Sequence, residues 1–303
     1  MVEEASGAGT DEELGVLVTE RGMAHHDSMV ARRLAGEPLQ YVLGRWGFRT
    51  LDLMVDRRVL IPRPETEVVA GLALQEADRI AAARGGATVL VADLGTGSGA
   101  IGLSIAAECP EALVWCTDCS SDALAVARAN CTGLGRPAGR VTILEGSWFD
   151  ALPSEMVGTF DVLVSNPPYV DVADELPAEV ADWEPSEALL SPDSGCADLE
   201  SLVDGAKQWL APGGVLVLEM APDQTVAMAD RAWSAGFVEV CIHPDLTGRE
   251  RAIVARGDPR RRHRPPGGCR GRSGDRPTEG SAGGPAHRDR LRRGGPSGRP
   301  LRR

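Results

Sequence analysis

The chain has 303 residues, 43% of them hydrophobic, which is material for one main domain with a small appendage. No run approaches the roughly 18 consecutive apolar residues of a membrane span, and Met1-Val2-Glu3-Glu4 is no secretory leader, so the chain reads as cytoplasmic. The net charge of −12 conceals two unlike parts, because residues 256–303 carry 15 Arg against four acidic residues, a net of +11, leaving −23 on residues 1–255; so acidic a body is a poor match for a broad phosphate-gripping face and suits a protein or small-molecule substrate better.

Residues 1–44 read as a short helical appendage, with a helix over 24–34 ended by Gly36 and Pro38. From Trp46 to Val55, Leu51, Leu53 and Val55 alternate with polar or flexible neighbours as in a half-buried strand, so 45–62 is expected to be a β-hairpin linker. Pro64 suits the first turn of a long helix, with Glu65 and Glu67 near its positive end. The period then switches. Strands are expected at 88–92, 113–117, 140–144, 160–165 and 214–219, with helices at 101–108, 122–130 and 198–210 among them. That alternation predicts an α/β domain over 63–256, a parallel sheet covered on both faces. Two short strands, 238–242 and 251–255, follow without an intervening helical pattern and are expected to pair as an antiparallel hairpin at one edge. Residues 257–303, rich in Arg, Gly and Pro and almost without branched apolar or aromatic side chains, cannot bury enough surface to offset ordering entropy and read as a disordered tail.

The first strand of the series runs into Asp93-Leu94-Gly95-Thr96-Gly97-Ser98-Gly99-Ala100-Ile101-Gly102. Glycines remove Cβ atoms where a backbone must pass close to a ligand, and the helix that follows presents free N–H groups. Taken alone the turn is ambiguous: Gly97-x-Gly99-x-x-Gly102 with Asp118 about twenty residues on satisfies the dinucleotide pattern. An S-adenosylmethionine site uses the same acid for the same reason, since both ligands carry an adenosine ribose. Asp93 is either an acceptor for the amino-acid end of such a cofactor or a cap of the turn. Trp148, after the third strand, is placed either beside an adenine ring or in ordinary packing. The seven Cys have no disulfide-framework spacing and fit reduced thiols, and Cys116-x-x-Cys119 lacks the second pair of a zinc site, so no metal is expected.

Asn166-Pro167-Pro168-Tyr169 closes the fourth strand, where open α/β sheets place their ligands. Each Pro lacks an N–H and fixes φ, so what this turn offers is acceptors. The Asn166 side-chain oxygen and the Pro167 carbonyl can both accept from one planar NH2 group. An amide or exocyclic amine gripped this way has its nitrogen aimed at the Gly-rich turn, as a methyl acceptor should be. Together with Asp93 before the first Gly and the run Gly95-x-Gly97-x-Gly99, this breaks the tie in favour of S-adenosylmethionine.

With these motifs in place, residues from about Pro38 to Ala255 resemble the HemK/PrmC family of protein glutamine methyltransferases. The resemblance is carried by Gln40-Tyr41-Val42-Leu43-Gly44, Leu60-Ile61-Pro62-Arg63-Pro64-Glu65-Thr66-Glu67, the turn Asp93 to Gly99, Gly146-Ser147-Trp148-Phe149, the acceptor turn and Asp193-Ser194-Gly195. It implies a Rossmann-like, seven-stranded S-adenosylmethionine-dependent methyltransferase domain behind a helical substrate-recognition region. It further implies methylation of the Gln in the Gly-Gly-Gln loop of peptide-chain release factors, in translation termination, with S-adenosylhomocysteine as product. By residue matching, Gly95, Thr96, Gly97, Ser98, Gly99, Asp118, Trp148 and Asn166 are the cofactor contacts, and Asp93 joins them on the reading of the turn given above. Asn166, Pro167, Pro168 and Tyr169 are the substrate contacts, with Asn166, Pro167 and Tyr169 carrying catalysis by orientation. The stretch before Gln40 is shorter than the family's helical domain, which helps to dock the release factor. The rival readings are an RNA or DNA adenine amino methyltransferase, a glutamine methyltransferase for another protein, an NAD(P) oxidoreductase, and a silent ribosome-associated module touching nucleic acid through its Arg-rich tail. The Ile-Pro-Arg-Pro-Glu-Thr-Glu signature and the acidic body argue against the first, and the acceptor turn is unexplained in the third.

Overall fold

The computed structural model describes Met1 and residues 19–260. Helices α1 (Glu20–Leu34) and α2 (Leu39–Leu43) lead into a two-stranded antiparallel hairpin, β1 (Arg45–Phe48) and β2 (Leu51–Met54). Thr19 caps α1 by accepting from Gly22 N, so the helix starts four residues before the apolar pattern suggests. Helix α3 (Pro64–Ala83) begins on the expected proline, with Glu65 and Glu67 in its first turn.

The main sheet has seven strands in the order β10-β11-β9-β6-β3-β4-β5. Its parallel part is β3 (Val89–Leu94), β4 (Ala112–Asp118), β5 (Val141–Glu145), β6 (Phe160–Ser165) and β9 (Leu210–Glu219). The expected hairpin is present as β10 (Glu239–Pro244) and β11 (Glu250–Arg256), and β11 inserts antiparallel between β9 and β10. Helices α4 (Ala100–Glu108), α5 (Ser121–Gly133) and α6 (Ala197–Trp209) occupy the expected positions. Helix α7 (Thr225–Ser234), between β9 and β10, was not expected. Its buried positions Thr225, Met228, Ala229 and Ala232 have helical spacing, but three of the four side chains are too small or polar to stand out as an apolar stripe.

Both faces of the sheet are covered, which is why its central strands are almost continuously apolar. Val91, Val162 and Val215 point into one core with α3 and α4. Their neighbours Ala92, Leu163 and Leu216 point into a second core with α6 and α7. All six residues of β6 are buried. The expected tail overlaps the described residues only at 257–260, where Gly257 N donates to Gly214 O (2.8 Å) and Gly213 N donates to Asp258 O (3.2 Å); the rest of it, like residues 2–18 of the appendage, lies outside the described residues.

The topology places the site. The chain moves from β3 outward to β4 and β5, then returns to β6 on the other side of β3, and the loops leaving β3 and β6 diverge at that switch. Asp93 is in register with Val164, so the Gly-rich turn and the acceptor turn spring side by side from adjacent strand ends.

Candidate active site

A cavity of about 240 Å³ opens at this strand-end switch. Gly95, Thr96, Gly97, Ser98, Asp118, Trp148, Asn166 and Pro168 all line it, so the fold gathers most of the sequence-predicted residues from four separate loops. Asp93, Gly99, Pro167 and Tyr169 lie outside its lining.

Asp93 sits beneath the Gly-rich turn, almost without exposure. Its Oδ2 accepts from Thr96 Oγ1 (2.5 Å) and Gly102 N (2.9 Å). These bonds cap the turn through Oδ2 alone, while Oδ1 is buried with no hydrogen-bond partner among the described residues. Burial raises its carboxyl to about 6 against the pull of those donors, and the Asp118 charge adds to the rise. Gly95 has φ +72, and a Cβ there would lie 3.0 Å from the Trp148 ring, so glycine meets both a left-handed backbone and a close ring.

Asp118 ends β4 facing the cavity. Its Oδ2 accepts from Gly97 N (2.8 Å) and its Oδ1 from Ser120 N (2.9 Å), which ties the Gly-rich turn to the start of α5. Burial raises its pKa, and the backbone donors work against the rise. Each oxygen keeps a further lone pair. Cys119 stands on the same rim with an exposed free thiol, whereas Cys116 is buried in the core. Among the described residues no group of three or more His, Cys, Asp or Glu is placed to hold a metal ion.

Trp148 adopts φ +44, which costs a bulky L-residue on the order of 1–2 kcal/mol. Asp198 holds it there: Trp148 Nε1 donates to Asp198 Oδ1 (3.2 Å), and Asp198 Oδ2 accepts from Ser191 Oγ (2.7 Å). Ser191 ends β8 (Leu190–Ser191), which pairs in parallel with β7 (Val170–Asp171) directly after the acceptor turn. Asn130 joins a third segment to the cavity by donating to Ser98 O (2.8 Å) and Met54 O (3.1 Å), fastening the hairpin to the Gly-rich turn.

The acceptor turn is held from below. Ser165 Oγ donates to Leu94 O (2.5 Å), and Asn166 Nδ2 donates to Thr66 Oγ1 (3.3 Å). The Asn166 amide therefore spends a donor on the protein and keeps its oxygen available. Tyr169 Oη donates to Glu219 Oε1 (3.3 Å), and burial beside that carboxylate raises the phenol pKa. Glu219 is fully buried at the end of β9, with no hydrogen-bond partner for Oε2 among the described residues. Burial raises its carboxyl to about 7, while the nearby Thr66 and Tyr169 hydroxyls and the Arg251 charge pull the other way.

A strap over residues 172–189 closes one side, contributing Pro185, Glu187 and Ala188 to the cavity wall. Glu184 anchors it by accepting from Ile61 N (3.1 Å) and Arg63 Nη2 (2.5 Å), with its carboxylate almost wholly buried. Arg57 lies 3.8 Å above the Trp183 ring as a second clamp.

Comparison with known proteins agrees with this geometry. Residues 80–181 match the methyltransferase small domain family. The chain is 44% identical over 230 residues to a release factor glutamine methyltransferase from Xylella fastidiosa, covering 76% of this chain and 80% of that one. A protein of the same name from Burkholderia pseudomallei is 42% identical over 237 residues, covering 77% and 80%. The chain belongs to the release factor glutamine methyltransferase family. Among solved structures, a methyltransferase from Pyrococcus furiosus shares the fold, with a TM-score of 0.50 and 18% identity over 77% of this chain and 99% of that one. This member is thus an S-adenosylmethionine-type methyltransferase fold, as its sequence implied. Sequence reasoning did not single out Thr66, Asp198 or Glu219 as contributors to the site. Thr66 at least lies inside the Ile-Pro-Arg-Pro-Glu-Thr-Glu signature, which was used only as a family marker.

Proposed function

We propose that this enzyme transfers a methyl group from S-adenosylmethionine to the side-chain amide nitrogen of the Gln in the Gly-Gly-Gln loop of a peptide-chain release factor. The observation that carries the acceptor assignment is the Asn166 amide, whose Nδ2 is engaged by Thr66 and whose Oδ1 is left to accept from an incoming NH2 group. The names of the relatives support glutamine over an adenine amino group as the acceptor.

The residues present fit the cofactor. Asp118 offers lone pairs beyond those used by Gly97 and Ser120, as two ribose hydroxyls require. Gly95 to Ser98 supply close backbone approach and Trp148 an aromatic wall. The bound cofactor supplies an electrophilic sulfonium methyl. A Gln amide is a poor nucleophile, because its lone pair is delocalised into the carbonyl, so the protein's task is orientation. Asn166 Oδ1 and Pro167 O would accept hydrogen bonds from the two N–H groups; the nitrogen gains the methyl and gives up one of those protons to solvent, because neither carbonyl-type oxygen is a base strong enough to keep it. Tyr169, fixed through Glu219, packs behind the amide and limits water. The appendage of α1 and α2 is the proposed recognition region for the release factor, and the cytoplasm is the setting that such a partner implies.

The test is mass spectrometry of a purified release factor after incubation with enzyme and S-adenosylmethionine. A gain of one methyl, mapped to the loop Gln, is expected. Absence of the adduct on the release factor, with methylation of an RNA or DNA adenine instead, would overturn the proposal.

A further inference from the structure

The acceptor turn is pinned near Asn166 by Thr66 and Ser165, and at its far end something must fix the Tyr169 backbone. That end meets an unusual segment. Asp193 (φ 54) and Ser194 (φ 56) are consecutive non-glycine residues in the left-handed region, followed by Gly195 at φ 75. The turn they form presses on the acceptor turn from behind: a Cβ on Gly195 would collide with the Tyr169 carbonyl oxygen. Two residues in a disfavoured conformation persist only where their surroundings over-determine them.

Gln224 supplies that constraint. It is buried, at the foot of α7, and its side-chain amide joins three backbone segments. Nε2 donates to Tyr169 O (3.0 Å) and to Ser194 O (3.3 Å), while Oε1 accepts from Ala221 N (3.0 Å). Both hydrogens of the NH2 group thus face carbonyls, one on the acceptor turn and one on the left-handed turn behind it. We propose that Gln224 is a positioning residue for methyl transfer, holding the exit of the acceptor turn so that Asn166 Oδ1 and Pro167 O stay aimed at one NH2 group. The inference rests on the methyl-transfer reading above and adds to it a residue outside the cavity, from a part of the chain with no sequence motif of its own.

Two substitutions separate positioning from simple support. Gln224→Leu removes all three bonds. Gln224→Glu, assayed at alkaline pH, keeps an acceptor for Ala221 N and turns the donor facing Tyr169 O into a second acceptor. If Gln224 only caps the loop at Ala221, Gln224→Glu retains wild-type behaviour; if it positions the turn, Gln224→Glu is as defective as Gln224→Leu. The chain has two tyrosines, Tyr41 and Tyr169, so fluorotyrosine-labelled protein gives two fluorine NMR signals. In both variants the Tyr169 signal is expected to shift or broaden while that of Tyr41 stays in place. Single-turnover transfer at saturating cofactor and release factor is expected to fall tenfold or more, with calorimetric affinity for S-adenosylmethionine within threefold of wild type. An unchanged Tyr169 signal in Gln224→Leu, or a wild-type rate in Gln224→Glu, would overturn the inference. A wild-type enzyme that methylates no release factor would refute the proposed substrate instead, and the fluorine signals would still decide whether Gln224 holds the turn.

Discussion

Asp118→Ala tests the cofactor site most directly. In the wild type each carboxylate oxygen already accepts one backbone N–H, from Gly97 and from Ser120. A carboxylate has about four acceptor positions, so two remain for the ribose hydroxyls. A hydrogen bond to a charged group contributes about 1.5–3 kcal/mol net, and about 1.4 kcal/mol is tenfold in affinity. Losing two such bonds gives a nominal factor of over a hundred. Water admitted to the emptied space restores part of it, so a weakening of roughly tenfold to a few hundredfold is expected. The substitution also frees Gly97 N and Ser120 N, and a loosened turn would weaken binding for a different reason. Calorimetry with S-adenosylhomocysteine and its 2′-deoxy analogue separates the two causes. The wild type should discriminate against the deoxy compound and Asp118→Ala should not, because the partner of that hydroxyl is gone. Equal discrimination by both proteins would refute the assignment of Asp118 to the ribose, whatever the absolute affinities.

Asn166→Ala deletes one of the two proposed amide acceptors and should lower single-turnover transfer by about a hundredfold while leaving cofactor affinity within a few-fold; near-normal turnover would remove the orientation mechanism. Glu219→Gln should change how stability depends on pH. The folded-state carboxyl is raised to about 7 from its ordinary 4.5, so its stabilisation is complete below about pH 4.5 and is lost as pH rises through about 7. That gap corresponds to about 3 kcal/mol at most, so urea midpoints should show wild type losing on the order of 1–3 kcal/mol relative to Glu219→Gln between pH 5 and pH 8, and parallel profiles would contradict the burial argument. Asp93, raised to about 6, is present in both proteins and largely cancels from the comparison. Arg63→Met strands the buried Glu184 carboxylate and should destabilise by about 2–3 kcal/mol, below the usual range for a buried pair because Arg63 keeps 34% of its side-chain surface. Differential scanning calorimetry should register this as a drop in Tm of several degrees, and an unchanged Tm would mean that Glu184 has another compensating partner.

What the sequence disclosed and what it hid have a common physical basis. The βα alternation and the Gly-rich and Asn-Pro-Pro-Tyr turns are local, because strand burial, chain reversal and missing donors are properties of a few adjacent residues. The parallel sheet, its antiparallel edge hairpin and eight of the residues that line the cavity followed from them. The supports are non-local. Glu219 lies 50 residues from the Tyr169 hydroxyl it accepts from, and Thr66 lies 100 residues from Asn166. Neither pairing leaves a periodic trace. Asp93 shows the limit from the other side: a carboxylate before a Gly-rich turn is chemically suited both to a ligand and to the turn's own N–H groups, and only the placement of Thr96 and Gly102 reveals which donors it has met. Helix α7 went unread because its buried face uses Thr and Ala, whose small side chains suffice against a sheet already covered by larger ones.

The Ile-Pro-Arg-Pro-Glu-Thr-Glu segment gains a physical explanation from these contacts. Pro62 and Pro64 restrict the backbone on both sides of Arg63, which caps α3 in an extended conformation, and Thr66 follows three residues later in the first helical turn. One short segment therefore projects a cation to the strap, through Glu184, and a hydroxyl to the acceptor turn, through Asn166. The Ile61 N–H bond to the same Glu184 carboxylate fixes the entry to the helix, so neither contact can shift without the other. The strap and the acceptor turn are thus both tied to one short segment. Changes at Arg63 should accordingly disturb the setting of Asn166 as well as the strap. A weakened amide grip in Arg63→Met, beyond what its loss of stability accounts for, is what this linkage requires.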